Sequence, residues 1–307
     1  MKTQTDPKVD YAFKHVFGRE ESKPALKSLL NAVLEPAEGG QIASLELLSP
    51  FNEKDSDDDK LSVVDIKVRD ETGRQFYIEM QMLATGAFRQ RALYYWACLH
   101  QAQLHQSEDY PALRPTVAVC FVDTPLFRDL DDYHLTFELR ERRHQALFTD
   151  QMAPHILELP KFNKVVDELT TPLDRWLYFL RHGEELDAQA VPQPLDVPEV
   201  CWALGDLFMI SRTDPERELY EARLKARRDL AAERQAMREE VRAEVRAEVR
   251  AEGRAEGRAE GRADTLRIAI QALQKSLGHH VTPPQELQSL SLDELESIWS
   301  RLSNNGK

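Results

Sequence analysis

Two acidic residues carry the clearest chemical signal in this chain. Asp65 lies in the run LSVVDIKVRD, Leu61 to Asp70, and Glu79 in RQFYIEMQML, Arg74 to Leu83. Side chains of an extended strand alternate between its faces. Asp65 then shares a face with Val63 and Lys67, and Val64, Ile66 and Val68 share the other. In the second run Tyr77, Glu79 and Gln81 lie opposite Phe76, Ile78 and Met80. If the two runs pair as a hairpin, the mixed faces coincide and the two carboxylates meet. A carboxylate among apolar neighbours is costly unless a counter-charge offsets it. A divalent cation is one such charge. Mg²⁺ takes hard oxygen ligands, often one or two carboxylates completed by water and substrate phosphate. Bound there, it polarises a phosphate, acidifies an attacking water and orients the leaving group. The bland alternative is a half-exposed acid pair neutralised by Lys67.

Further candidates sit at helical spacing. Asp10 and Lys14 are i,i+4, and so are Arg91 and Tyr95, so each pair shares a helix face. Arg91 by charge and Tyr95 by its hydroxyl suit a DNA phosphate, and Lys14 is a third candidate for that role. Tyr94 and Trp96 read as packing residues, and His100, His105, His279 and His280 show no ligand pattern.

The elements that must position these groups follow from periodicity. Residues 8–34 read as helix, with Asp6-Pro7 before it and Glu35-Pro36 after it. Residues 42–49 read as a strand or its lead-in, and Asn52 to Lys60 as a polar acidic loop. Glu71-Thr72-Gly73 joins the two acid-bearing strands as a hairpin. Ala87 to Leu104 reads as helix, and Thr116 to Val122, TVAVCFV, as a buried strand. His134 to Phe137 and Ile156 to Leu159 are candidate strands, and residues 164–183 and 198–211 candidate helices. Three prolines in AVPQPLDVPE mark a boundary. The expected domains are a core over 1–190, a helical extension over 191–235, a charged helix or linker over 236–264, and a small helical tail over 265–307.

Composition narrows the class. The chain has 307 residues, 42% hydrophobic and 30% charged, enough for a sizeable core with one highly charged region. Three widely spaced cysteines, Cys98, Cys120 and Cys201, argue against a disulfide framework or structural zinc. MKTQTDPKVDYAFK has no apolar segment of the secretory kind, and Thr116 to Val122 is too short to span a bilayer. A cytoplasmic protein with no membrane partner is the expectation. A net charge of −13 counts against a protein that coats nucleic acid, though not against an enzyme with a local basic surface.

In order along the chain, DPKVDYAFKHVFG, KSLLNAVL, LSPFNEKD, KLSVVDIKV, GRQFYIEMQM, RQRALYYWACLHQAQL and PTVAVCFVDTPLF resemble the PD-(D/E)XK nuclease family transposases, the Rpn-type recombination-promoting nucleases. The likeness spans roughly residues 6–230. It implies a restriction-endonuclease-like α/β fold, a mixed sheet flanked by helices with a helical C-terminal extension. It also implies Mg²⁺-dependent DNA cleavage linked to recombination, mobile elements or defence. Asp65 matches the aspartate of the motif and Glu79 its (D/E). The motif's lysine would fall at Gln81, which carries no charge and can only orient water or phosphate by hydrogen bonds. Lys67, on the face of Asp65, is a candidate substitute. The resemblance also places the first helix near the site, so Asp10 is either a further acid there or half of a surface ion pair.

The remaining signal is a four-residue repeat. From Val241 the chain reads VRAE three times, GRAE twice and then GRAD, ending at Asp264. Residues 221–264 hold twelve Lys/Arg and eleven Asp/Glu, so a basic DNA-tracking helix is disfavoured. Charges four apart have the same sign, which is mildly unfavourable within one helix. Either the segment is a charged spacer, or it sets its Arg row against the Glu row of a second copy as a homo-oligomer of coiled-coil kind. A four-residue period does not match a heptad, and one Val per repeat makes a thin seam. The Gly half should fray. The function expected is a DNA endonuclease. The alternative is a catalytically impaired nuclease fold that binds DNA or assembles.

Overall fold

A computed structural model describes residues 2–36, 39–50, 64–82, 86–104 and 109–304. The acidic loop Asn52–Lys60 and the first residues of the Asp65 run, 61–63, lie outside them, as does His105.

One six-stranded mixed sheet forms the frame, in the order β1-β2-β3-β4-β8-β5. Its strands are β1 (Leu45–Leu48), β2 (Ile66–Asp70), β3 (Gln75–Gln81), β4 (Thr116–Val122), β5 (His134–Thr136) and β8 (Met152–Glu158). Between β5 and β8, β6 (Leu139–Arg140) and β7 (Leu147–Thr149) make a separate two-stranded ribbon. β3, β4 and β8 run parallel, and β1, β2 and β5 pair antiparallel at the flanks. A parallel pair needs a crossover, and α3 (Phe88–Gln101) supplies it between β3 and β4. All seven residues of β4 are buried, as expected of a strand covered on both faces.

One face packs on α1 (Asp10–Phe17), α2 (Lys23–Leu34), α4 (Pro172–His182) and α5 (Pro198–Ile210). Phe76, Ile78 and Met80 of β3, and Val117, Val119 and Phe121 of β4, point into this larger core. Their alternates Tyr77, Ala118, Cys120 and Val122 pack under α3 with Phe88 and Leu99. The expected α/β core flanked by helices is therefore present, and the period-two pattern of β3 is realised.

Several sequence expectations change. Residues 8–34 are not one helix. α1 stops at Gly18, and Arg19 is extended before a short 3₁₀ turn, Glu20–Ser22. Pro24 then sits in the first turn of α2, where its missing N–H costs nothing. The helix expected over 164–183 begins only at Pro172. There Thr171 Oγ1 accepts from Asp174 N at 3.0 Å, and Asp174 accepts in return from Thr171 N. This capping box starts the helix, and the preceding residues form a 3₁₀ turn, Val166–Glu168. β8 begins at Met152, well before Ile156, because it must run the length of β4.

By internal contacts the chain divides into residues 1–227 and 228–307. α6 (Asp214–Ser276) is helical throughout, the Gly repeats included, where fraying was expected. The Ala, Arg and Glu around each glycine are strong helix formers. C-terminal to the glycines, Ala263 and Ile270 pack with Leu287 of α7 (Pro284–Gln288) and Leu295 of α8 (Leu292–Asn304), which fixes that end of the helix.

Candidate active site

Glu79 lies near the carboxyl end of β3, on the face covered by α3, opposite Cys120 of β4. Ligand sites of open α/β sheets favour the carboxyl ends of parallel strands. The hairpin that brings Asp65 to it closes tightly. Gly73 has φ +89°, and Asp70 Oδ1 accepts from Thr72 N, Thr72 Oγ1 and Arg74 N. The left-handed conformation at Gly73 is one that a side chain would strain.

Asp65 itself differs from expectation. It stands one residue before β2, at a bend, rather than inside a regular strand. Val64 packs under α3 while Ile66 and Val68 pack in the larger core, so the three do not share a face. The cause is a side-chain substitution in the ladder: Asp65 Oδ2 accepts from the Met80 backbone N–H at 2.9 Å. The carboxylate is thus anchored by β3 directly, beside Glu79.

Both acids hold protein cations. Lys14 Nζ is 3.1 Å from Asp65 Oδ1 and 2.6 Å from Asp10 Oδ1. α1 buries Ala12, Phe13, Val16 and Phe17, which leaves its Asp10–Lys14 face toward the hairpin. Lys14 thus supplies a counter-charge to Asp65 from α1. Lys67 is half-buried on β2 opposite Tyr77. Across the site, Arg91 Nη2 donates to Glu79 Oε1 at 2.7 Å and also to Gln81 Oε1. Tyr95, one turn further along α3, is half-buried against the smaller core. Burial and then the Glu79 charge raise its hydroxyl pKa. Trp96 packs as expected, its Nε1 donating to Thr116 O at 2.9 Å, whereas Tyr94 is exposed. A helix with one apolar face has room for only part of its aromatic residues against the sheet.

The electrostatics follow from depth. Glu79 is 7% exposed, and burial pushes its carboxyl up to about 7 against the pull of Arg91. Burial also raises Asp65, opposed by Lys14 and the Met80 N–H. The Asp65 and Asp10 carboxylates outweigh burial at Lys14 and hold its ammonium charged. One oxygen, Glu79 Oε2, is buried with no hydrogen-bond partner among the described residues. Such an orphan normally calls for an ion or water.

That atom, the Asp65 carboxylate and the Gln81 amide are hard oxygen donors, and they fit a Mg²⁺-type cation that keeps several waters. Among the described residues no three His, Cys, Asp or Glu side chains converge as a cation cage, so the fit is to a two-carboxylate site. An apolar cavity of about 310 Å³ opens beside α3, lined by Phe88, Leu93, Trp96, Phe127 and Phe137 among others. Its lining holds no acid.

Sequence reasoning missed two contributors. The Met80 backbone N–H could not be found without the bend at Asp65. Asp123 follows the TVAVCFV run directly, and its N–H donates to Gln81 O at 3.0 Å. Its carboxylate lies 3.7 Å from Lys8, and burial raises its pKa. An acid immediately after a buried strand was the available signal.

No curated protein and no solved structure matches the chain. A family model described as PD-(D/E)XK nuclease family transposase matches residues 7–236, well over half of the sequence and inclusive of every site residue above. The chain belongs to the PD-(D/E)XK nuclease family transposases.

Proposed function

We propose that the protein is a metal-dependent DNA endonuclease that hydrolyses phosphodiester bonds, with Asp65 and Glu79 holding Mg²⁺ or another divalent cation. The observation that carries this reading is the buried Glu79 carboxylate, with one oxygen unpartnered, beside the Asp65 anchored on Met80 N. A divalent cation held there would supply Lewis-acid polarisation of the phosphate and an acidified water. The chain's own groups do the positioning. Met80 N–H fixes the Asp65 carboxylate. Gln81 orients Arg91 and offers its amide to water. Lys14 and Arg91, with Tyr95 beside them, are the phosphate contacts, and Asp10 keeps Lys14 on the site. Lys67, on β2 opposite Tyr77, is a further candidate for the role of the missing lysine. We place this work in residues 1–190, with 191–235 as a helical extension, 236–264 as the charged helix and 265–307 as the tail. The setting is the cytoplasm, in recombination, mobile-element movement or defence.

The test is nicking of supercoiled plasmid with and without Mg²⁺. The parent should nick only with the cation. Asp65→Ala and Glu79→Ala should each lose about a thousandfold or more, since loss of an ion that stabilises developing charge costs several kcal/mol. A parent that fails with every divalent cation would favour the second reading, a nuclease fold that binds DNA or assembles through α6. Gln81 in the lysine place motivates that reading.

A further inference from the structure

Each carboxylate of the site is closed by a cation from a different wall. Lys14 reaches Asp65 from α1, and Arg91 reaches Glu79 from α3. The α3 side is unusual in its bonding. Arg91 Nη2 serves both Glu79 Oε1 and Gln81 Oε1, while Arg91 Nε and Glu79 Oε2 are buried with no partner among the described residues. A guanidinium carries five donors in a fixed fork that matches a carboxylate or phosphate edge to edge. Here it meets Glu79 through one nitrogen and leaves atoms on both sides unsatisfied. The pair is held together without being completed.

The second feature is where this cation sits. Gln81 occupies the position at which a PD-(D/E)XK motif would have its lysine, and its amide oxygen accepts from Arg91. The positive charge missing from β3 is thus delivered to the same place from the facing helix. The Arg91 side chain is 36% exposed, so its fork can swing without unburying the helix, and its Cζ lies 5.5 Å from the Phe88 ring centroid.

We propose that Arg91 fills the role of the absent lysine by exchange of partners. In the resting protein Gln81 holds it beside Glu79 as a counter-ion. When Glu79 gives its carboxylate to a divalent cation, Arg91 is repelled and turns its fork to the scissile phosphate. Gln81 is the positioning residue and Arg91 the phosphate-binding one. The inference rests on the metal-dependent reading of the site. Its physics is simple: one carboxylate neutralises one neighbour well, and a bidentate phosphate is the better remaining acceptor for a guanidinium.

The exchange predicts effects of opposite sign, which a merely structural ion pair does not. The full-length protein is compared with Arg91→Ala, Arg91→Lys and the double variant Arg91→Ala/Gln81→Lys. Mn²⁺ affinity is measured without DNA by electron paramagnetic resonance, and binding of a short DNA duplex is measured in Ca²⁺ over a salt series. Arg91→Ala should bind Mn²⁺ about three- to tenfold more tightly, because a competing cation is gone. It should bind the duplex about tenfold more weakly, with the salt slope reduced by about one. Arg91→Lys should recover part of the duplex binding, and Gln81→Lys in the double variant should restore both affinity and slope. If the parent binds Mn²⁺ and Arg91→Ala binds it no more tightly, the exchange is wrong while the metal site stands. Failure of Gln81→Lys to rescue duplex binding overturns it equally. A parent that binds no Mn²⁺ removes the metal-dependent reading and the exchange with it.

Discussion

The hairpin end and the repeat of α6 are both dense in charge, yet they treat charge in opposite ways. At Asp65 and Glu79 the acids are mostly buried, and each meets a cation from another element, Lys14 or Arg91. Along α6 the Arg and Glu between 242 and 260 are exposed and make no ion pair among the described residues, and Val241, Val245 and Val249 are each more than half exposed. In the first region the acids are largely withdrawn from water, at a cost in folding free energy, while their cations stay about a third exposed. The second is solvated and costs little. Buried charge changes protonation and attracts ions; exposed charge at a strict four-residue period waits for a partner in trans or serves as a spacer. The buried charges therefore belong to the sheet, and the solvated repeat to the helix.

The largest expected contrast is with pH. Glu79 must ionise to hold a cation, and its carboxyl sits at about 7. Divalent-ion affinity should fall about tenfold per pH unit below 7 and level off above it. Stability should move the other way. A carboxyl raised above its usual value binds more protons folded than unfolded, so it stabilises fully below about pH 4.5 and loses that contribution as pH rises through 7. Asp65, shifted in the same direction, adds to the trend. Thermal unfolding without metal should show a decline on the order of 3 kcal/mol across this window, and Glu79→Gln should flatten most of it. A curve as steep in Glu79→Gln as in the parent would mean that burial at Glu79 is not its source.

A smaller effect sharpens the helix side of the comparison. Substituting Val241, Val245 and Val249 together by Lys in the full chain should lower the mass seen by light scattering if α6 joins two copies, and should leave Mn²⁺ binding alone. An unchanged mass would favour the spacer. The smallest effect is for single charges. Glu248→Ala should change unfolding free energy by less than about 0.5 kcal/mol, as exposed positions without partners generally do.

The sequence carried the site's frame well where the period was strict. β4 coincides end to end with the TVAVCFV run, and α3 lies within the helix expected over 87–104. Glu79 and Gln81 fall on the expected face because β3 alternates without interruption. The reading failed where a polar side chain replaces a backbone bond. Asp65 takes the Met80 N–H, which bends the chain and turns Val64 to the other face. The break between α1 and α2 falls in the polar run 18–24, where Gly18 and Pro24 are the available signals, and a single helix over 8–34 reads through both. Lys67 is visible as a neighbour of Asp65 because strand alternation is legible in sequence, whereas the ion pair of Lys14 with Asp65 depends on the docking of α1 on the hairpin, a tertiary contact.

The central claim is that Asp65 and Glu79 together bind a divalent cation, and calorimetric titration of Mn²⁺ into the parent, Asp65→Ala and Glu79→Ala at pH 8 tests it most directly. The account predicts one site in the parent and loss of at least about tenfold in affinity in each variant, as expected when one of two carboxylate ligands is removed. Equal affinity in all three proteins would contradict it.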